Sequence, residues 1–93
     1  MAVEVRLPTI LRSHAGGQAI VPADGVTVGD VLGDLVARFP GMQGQVVTEA
    51  GELHRFVNVY LNDDDVRYLD RLDTKVSDGD TVSILPAVAG GAR

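Results

Sequence analysis

His14 and His54 are the side chains whose ordinary pKa suits proton transfer at neutral pH. They stand forty residues apart, and neither has a metal-ligand companion at helical or hairpin spacing. Surface or loop histidines are the expectation. The chain has no cysteine, which removes disulfides, zinc–thiolate sites and thiol nucleophiles in one step. Asp63-Asp64-Asp65 invites a cation, but the glycine and distal glutamate of a calcium loop are missing, so a solvated turn is expected. Gly16-Gly17 lacks the Lys-Ser/Thr that completes a phosphate loop. Ser13, Ser77 and Ser83 have no adjacent base. An enzyme in its own right is not expected, nor a bound metal or cofactor. The remaining candidate is the stretch Pro86-Ala87-Val88-Ala89-Gly90-Gly91-Ala92-Arg93. A frayed terminus is its bland reading. Its small residues also taper the chain almost to bare backbone, a shape that can thread a narrow channel and present a terminal group to another protein's active site. Only glycine lets the backbone approach so closely without a side-chain clash.

The elements that would carry this tail are legible from periodicity. Val3, Val5 and Leu7 alternate with Glu4 and Arg6, a strand with one buried face. A turn-rich stretch, Ser13 to Gly17, leads to a second strand from Gln18 to Val21, so an N-terminal hairpin is expected. Val28, Val31, Leu32, Leu35, Val36 and Phe39 form one apolar stripe at helical spacing, with Thr27 as N-cap and Pro40-Gly41 as the stop. Gly33 in that helix suggests close approach to a neighbouring strand. Met42 to Glu52 reads as a long surface loop. Phe56 to Leu61 alternates as a strand; a turn at Asn62–Asp65, a short strand at Val66–Tyr68, a helical turn within Leu69–Val76 and a last strand at Thr81–Leu85 follow. The order β-β-α-β-β-β predicts an α+β grasp: a mixed sheet with one main helix on one face. Residues 1–86 would form this domain and residues 87–93 a tail. Phe56, Tyr60 and Leu85 fall on the sheet face that the helix leaves uncovered. They mark a partner interface there, or they pair across strands beneath the long loop.

Composition narrows the partners. Thirteen acidic residues against eight basic ones give a net charge of −5, the wrong sign for a phosphate backbone. No nucleic-acid partner is expected. The first residues alternate polar and apolar instead of forming a signal peptide, and no apolar run is long enough for a membrane span. A cytoplasmic location without membrane contact is the expectation.

The predicted grasp with a Gly-Gly tail resembles the ubiquitin-like sulfur carriers of molybdopterin and thiamin synthesis. Leu7–Arg12, His54–Tyr60, Asn62–Arg67 and Asp78–Asp80 through Ile84–Gly91 are similar to the actinobacterial carrier that serves cysteine synthesis. The likeness spans nearly the whole chain and is weakest from Met42 to Leu53. It implies that an E1-like enzyme uses ATP to adenylate the carboxylate of Gly91. Sulfide then displaces AMP to leave a thiocarboxylate, which a sulfur-accepting synthase consumes. Pro86, Ala87, Val88, Ala89 and Gly90 would thread the partner's active site. The matching carriers end at Gly-Gly, whereas Ala92 and Arg93 follow here: either a processing protease cuts between Gly91 and Ala92, or the protein is inactive as translated, or the two residues are a remnant of cloning. A ubiquitin-like modifier joined to lysines through Gly91 is the alternative, and a binding module with an idle tail is a third.

Overall fold

Alternating burial along the first residues builds β1 (Ala2–Arg6), with Val3 and Val5 inside and Glu4 and Arg6 in solvent. The computed structural model describes residues 2–48, 53–54 and 57–86. β2 (Ile20–Asp24) pairs antiparallel with β1 and sets Val21 opposite Val5. The helix α2 (Val28–Arg38) starts where expected, with the Thr27 hydroxyl accepting from the Asp30 amide at 3.1 Å. Its stripe of Val28, Val31, Leu32 and Leu35 is wholly buried. Phe39 caps the helix and packs half-buried at the edge of the core.

β3 (Val57–Leu61), β4 (Asp64–Asp65) and β5 (Thr81–Pro86) complete a five-stranded mixed sheet in the order β2-β1-β5-β3-β4. β5 lies parallel to β1, with Val82 beside Val5, and antiparallel to β3, with Ile84 opposite Val59. Val3, Val5, Val21, Val59, Val82 and Ile84 form the sheet's half of the core under α2. The expected grasp, a mixed sheet with one main helix on one face, is therefore present.

Helix and sheet are also tied at their margin. The Asp34 carboxylate accepts from the Asp24 amide of β2 at 3.0 Å and from Arg38 Nη2 at 2.6 Å. Arg38 donates in turn to the Pro22 carbonyl. The Asp24 amide first, and Arg38 second, hold the Asp34 pKa below its ordinary value of 3.8.

Four local expectations need correction. Val66–Tyr68 is a 3-10 turn, not a strand: the Asp65 side chain accepts from the Arg67 amide at 2.9 Å and bends the chain off the sheet. The link between β1 and β2 holds a short helix α1 (Thr9–Arg12) and a 3-10 turn (Ser13–Ala15), with Leu11 and Ala15 buried. Gly16 and Gly17, at φ +67° and +86°, then reverse the chain in a conformation that suits glycine. The stretch after α2 is no plain surface loop. Met42 and Val46 are fully buried and Val47 bridges Leu53, although residues 49–52 lie outside the described part. Finally, Gly33 faces open space; the close approach is at Gly29, where an added Cβ would lie 3.1 Å from the Leu72 carbonyl oxygen.

Candidate functional site

On the face away from α2, three strands bring Arg6, Ser83 and Tyr60 into one row, for Arg6 pairs with Ser83 and Ser83 with Tyr60. Leu85 lies two residues further along β5, opposite Asn58. Strand alternation dictates this set. Val82 and Ile84 point into the core, so Ser83 and Leu85 must point out. Beside them rises α1, whose Pro8, Thr9, Ile10 and Arg12 wall an open groove of about 880 Å³. Its floor is apolar where Leu85 (45% exposed), Ile10 (66%) and half-buried Tyr60 meet, and it runs out to Pro86 at the end of β5.

Two arginines line the groove of a protein whose net charge is −5. Arg12 is held by its Nε, which donates to the Leu7 carbonyl at 3.1 Å, and Arg6 lies exposed on the opposite wall. The one ion pair among the described residues is Arg38–Asp34, so neither groove arginine is ion-paired among them. Asp63, in the turn between β3 and β4, is the single acid on the rim.

Residues 5–91 match the ThiS family. The chain belongs to that family. The match runs through Gly90 and Gly91. Sulfur carrier protein CysO of Mycobacterium tuberculosis (strain ATCC 25618 / H37Rv) is 53% identical over 93 residues, which is 98% of this chain and 100% of the relative. Small archaeal modifier protein 3 of Haloferax volcanii is 41% identical over 93 residues, with the same coverage. A chain in the crystal structure of the Amycolatopsis orientalis BexX/CysO complex superimposes with a TM-score of 0.87 at 52% identity, covering 96% of this chain and 99% of that one. The fold is the ubiquitin-like β-grasp of these sulfur carriers and modifiers.

For this ThiS-family chain, the structure brings two of the three expected interface residues, Tyr60 and Leu85, onto one surface. Phe56 lies outside the described residues, as do Ala87, Val88, Ala89, Gly90, Gly91, Ala92 and Arg93. Pro86, expected to thread with the tail, is part of β5 and is registered against Val57. Its missing N–H costs the ladder nothing. The Asn62 amide donates to the Thr81 carbonyl at 2.7 Å, and alternation from that bond makes Val57–Pro86 a non-hydrogen-bonded pair. His14 sits against Gly41, with Gln45 Nε2 at 3.5 Å, away from the groove. Sequence reasoning missed the α1 wall, with Pro8, Ile10 and Arg12. A helix of four residues is too short to show a period, and the only signal was Pro8 at its start.

Proposed function

We propose that the chain is a sulfur carrier whose working end is Gly91, released by removal of Ala92 and Arg93, and whose docking face is the groove floored by Tyr60 and Leu85. The observation that carries this reading is the family match through Gly91 on a chain whose described residues end in β5 at Pro86. Gly91 lies five residues on from Pro86, a reach of about 17 Å when extended. That distance lets the body dock at the groove while Gly91 enters a separate active site, with Pro86 at the pivot and residues 87–90 in the channel.

The chemistry is balanced without any catalytic group on the carrier. The Gly91 carboxylate attacks the α-phosphorus of ATP in an E1-like partner, and pyrophosphate leaves. Hydrosulfide adds to the acyl carbon, AMP departs, and a thiocarboxylate remains for a sulfur-accepting synthase. Since the chain has no cysteine, no internal thiol competes for the acyl adenylate. The partner supplies the electrostatic stabilisation, and the carrier supplies placement. Arg6 and Arg12 beside the apolar floor favour partners that present an acidic rim around an aliphatic or aromatic side chain.

The identity with a small archaeal modifier supports a second reading, conjugation of Gly91 to lysine amines. Intact mass spectrometry after incubation with the activating enzyme, ATP and a sulfide source separates the two. Exchange of one oxygen for sulfur on the form ending at Gly91 is expected. A ladder of lysine conjugates instead would establish the modifier, and an unchanged mass would refute both.

A further inference from the structure

β4 is two residues long and meets only Tyr60 and Leu61 of β3. Among the described residues the first half of β3 is therefore an outer edge, with main-chain oxygens that no described strand reaches. Arg67, in the turn after β4, takes the place of the missing strand. Its Nη2 donates to the Val57 carbonyl at 2.8 Å and to the His54 carbonyl at 3.2 Å, and its Nη1 donates to Asn58 Oδ1 at 2.7 Å. The Asp65 side chain fixes the base of this arm by accepting from the Arg67 amide. Among the described residues the guanidinium makes no ion pair, the one such pair there being Arg38–Asp34. A half-buried cation devoted to neutral oxygens is a geometric device, because a planar fork can hold several acceptors in fixed relation where an ammonium cannot.

The two β3 residues that it holds are the partners of the exit. Val57 faces Pro86, and Asn58 faces Leu85. We infer that Arg67 is a positioning residue for sulfur loading: it locks the start of β3, and so fixes the angle between the docking face at Leu85 and the departure of the chain at Pro86. The kinetic consequence rests on the sulfur-carrier reading; the clamp itself does not. Over an extended reach of about 17 Å, a tilt of about 5° at Pro86 displaces the Gly91 carboxylate by about 1.5 Å. A misplacement of about 1 Å can cost about a hundredfold in rate. The effect belongs in kcat, because Arg67 is not part of the groove that docks.

The test uses Arg67→Gln, Arg67→Lys and the milder Asn58→Ala, which removes one of the three acceptors. Amide hydrogen exchange on the full chain reads the clamp. The Asn58–Leu85 pair is hydrogen-bonded by the alternation set at Asn62–Thr81, so Leu85 should exchange at least about tenfold faster in both Arg67 variants. Val5 and Val82, at the centre of the sheet, should be unaffected. ATP–pyrophosphate exchange by the activating enzyme, on forms ending at Gly91, reads the consequence: kcat lower by about tenfold or more, KM unchanged, and Asn58→Ala in between. Unchanged Leu85 protection would overturn the clamp, and lost protection with wild-type kcat would overturn its role in loading. Full rescue by lysine would show that charge, not the fork, matters, and would also overturn it. A wild-type chain that supports no exchange would fail the sulfur-carrier reading, while the Leu85 amide would still decide the clamp.

Discussion

Shortening Leu85 to alanine tests whether the groove is where partners dock. Leu85 is 45% exposed on the outer face of β5, and its side chain contributes nothing to the core under α2. The substitution removes three carbons and about 50–60 Å² of apolar surface that docking would cover, worth about 1.5 kcal/mol at about 25 cal/mol per Å². Affinity for the activating enzyme should fall about tenfold. Folding should barely notice, because a residue this exposed loses little on truncation. Tyr68 supplies the control. At 87% exposed it is the most solvated large apolar side chain among the described residues, yet it lies in the turn after β4 and does not line the groove. If apolar exposure alone decided binding, Tyr68→Ala would cost more than Leu85→Ala; if the groove decides, it costs almost nothing. Isothermal titration calorimetry with the activating enzyme, paired with thermal melts, measures both. A normally folded Leu85→Ala that binds like wild type, or a Tyr68→Ala that binds more weakly than it, would refute the groove as the docking face.

Gly33→Ala should raise stability by about 0.5–1 kcal/mol, visible as a higher Tm, because the added Cβ meets nothing within 4 Å and the helix gains propensity. Gly29→Ala should lower Tm, since its Cβ would press on the Leu72 carbonyl oxygen at 3.1 Å; the opposite order would refute the helix environment. Val59→Asp should cost at least about 3 kcal/mol by placing a charge at a fully buried position, whereas Glu4→Ala on the solvent face of β1 should be silent in urea denaturation. Asp34 titrates at a lower pH when folded than when unfolded, so its contribution is complete above about pH 4 and is lost as pH falls through the depressed value. Asp34→Asn should therefore be less stable at neutral pH and show a shallower acid limb, and an acid limb identical to wild type would refute the assignment.

Long, strongly periodic segments carried their structure openly. The stripe from Val28 to Leu35 and the alternation around Val59 and Ile84 are satisfied together by a helix packed on one sheet face, so the grasp is legible in the sequence alone. What escaped was set by single side chains or by non-local contacts. Val66–Tyr68 has strand-like residue types, but one hydrogen bond from the Arg67 amide to the Asp65 side chain turns it away from the sheet. Met42 and Val46 are apolar without a period, and only the three-dimensional fold puts them at the base of the core. Gly33 looked like a packing glycine, yet Gly29, one turn earlier, has the tight neighbour. Of the site, the outward side of β3 and β5 followed from alternation, whereas the α1 wall and the Arg67 fork depend on contacts between segments that no local pattern records.

The central claim is that Gly91, not a later residue, is the carboxylate that partners activate. Compare ATP–pyrophosphate exchange by one activating enzyme on the 93-residue chain and on the same chain ending at Gly91. Ala92 and Arg93 displace the terminal carboxylate by up to about 7 Å in an extended chain and add a charged side chain to a channel sized for glycine. The shortened chain should support exchange without any protease, and the 93-residue chain should be at least about a hundredfold slower. Equal rates, with Arg93 still present by intact mass at the end of the reaction, would contradict the account.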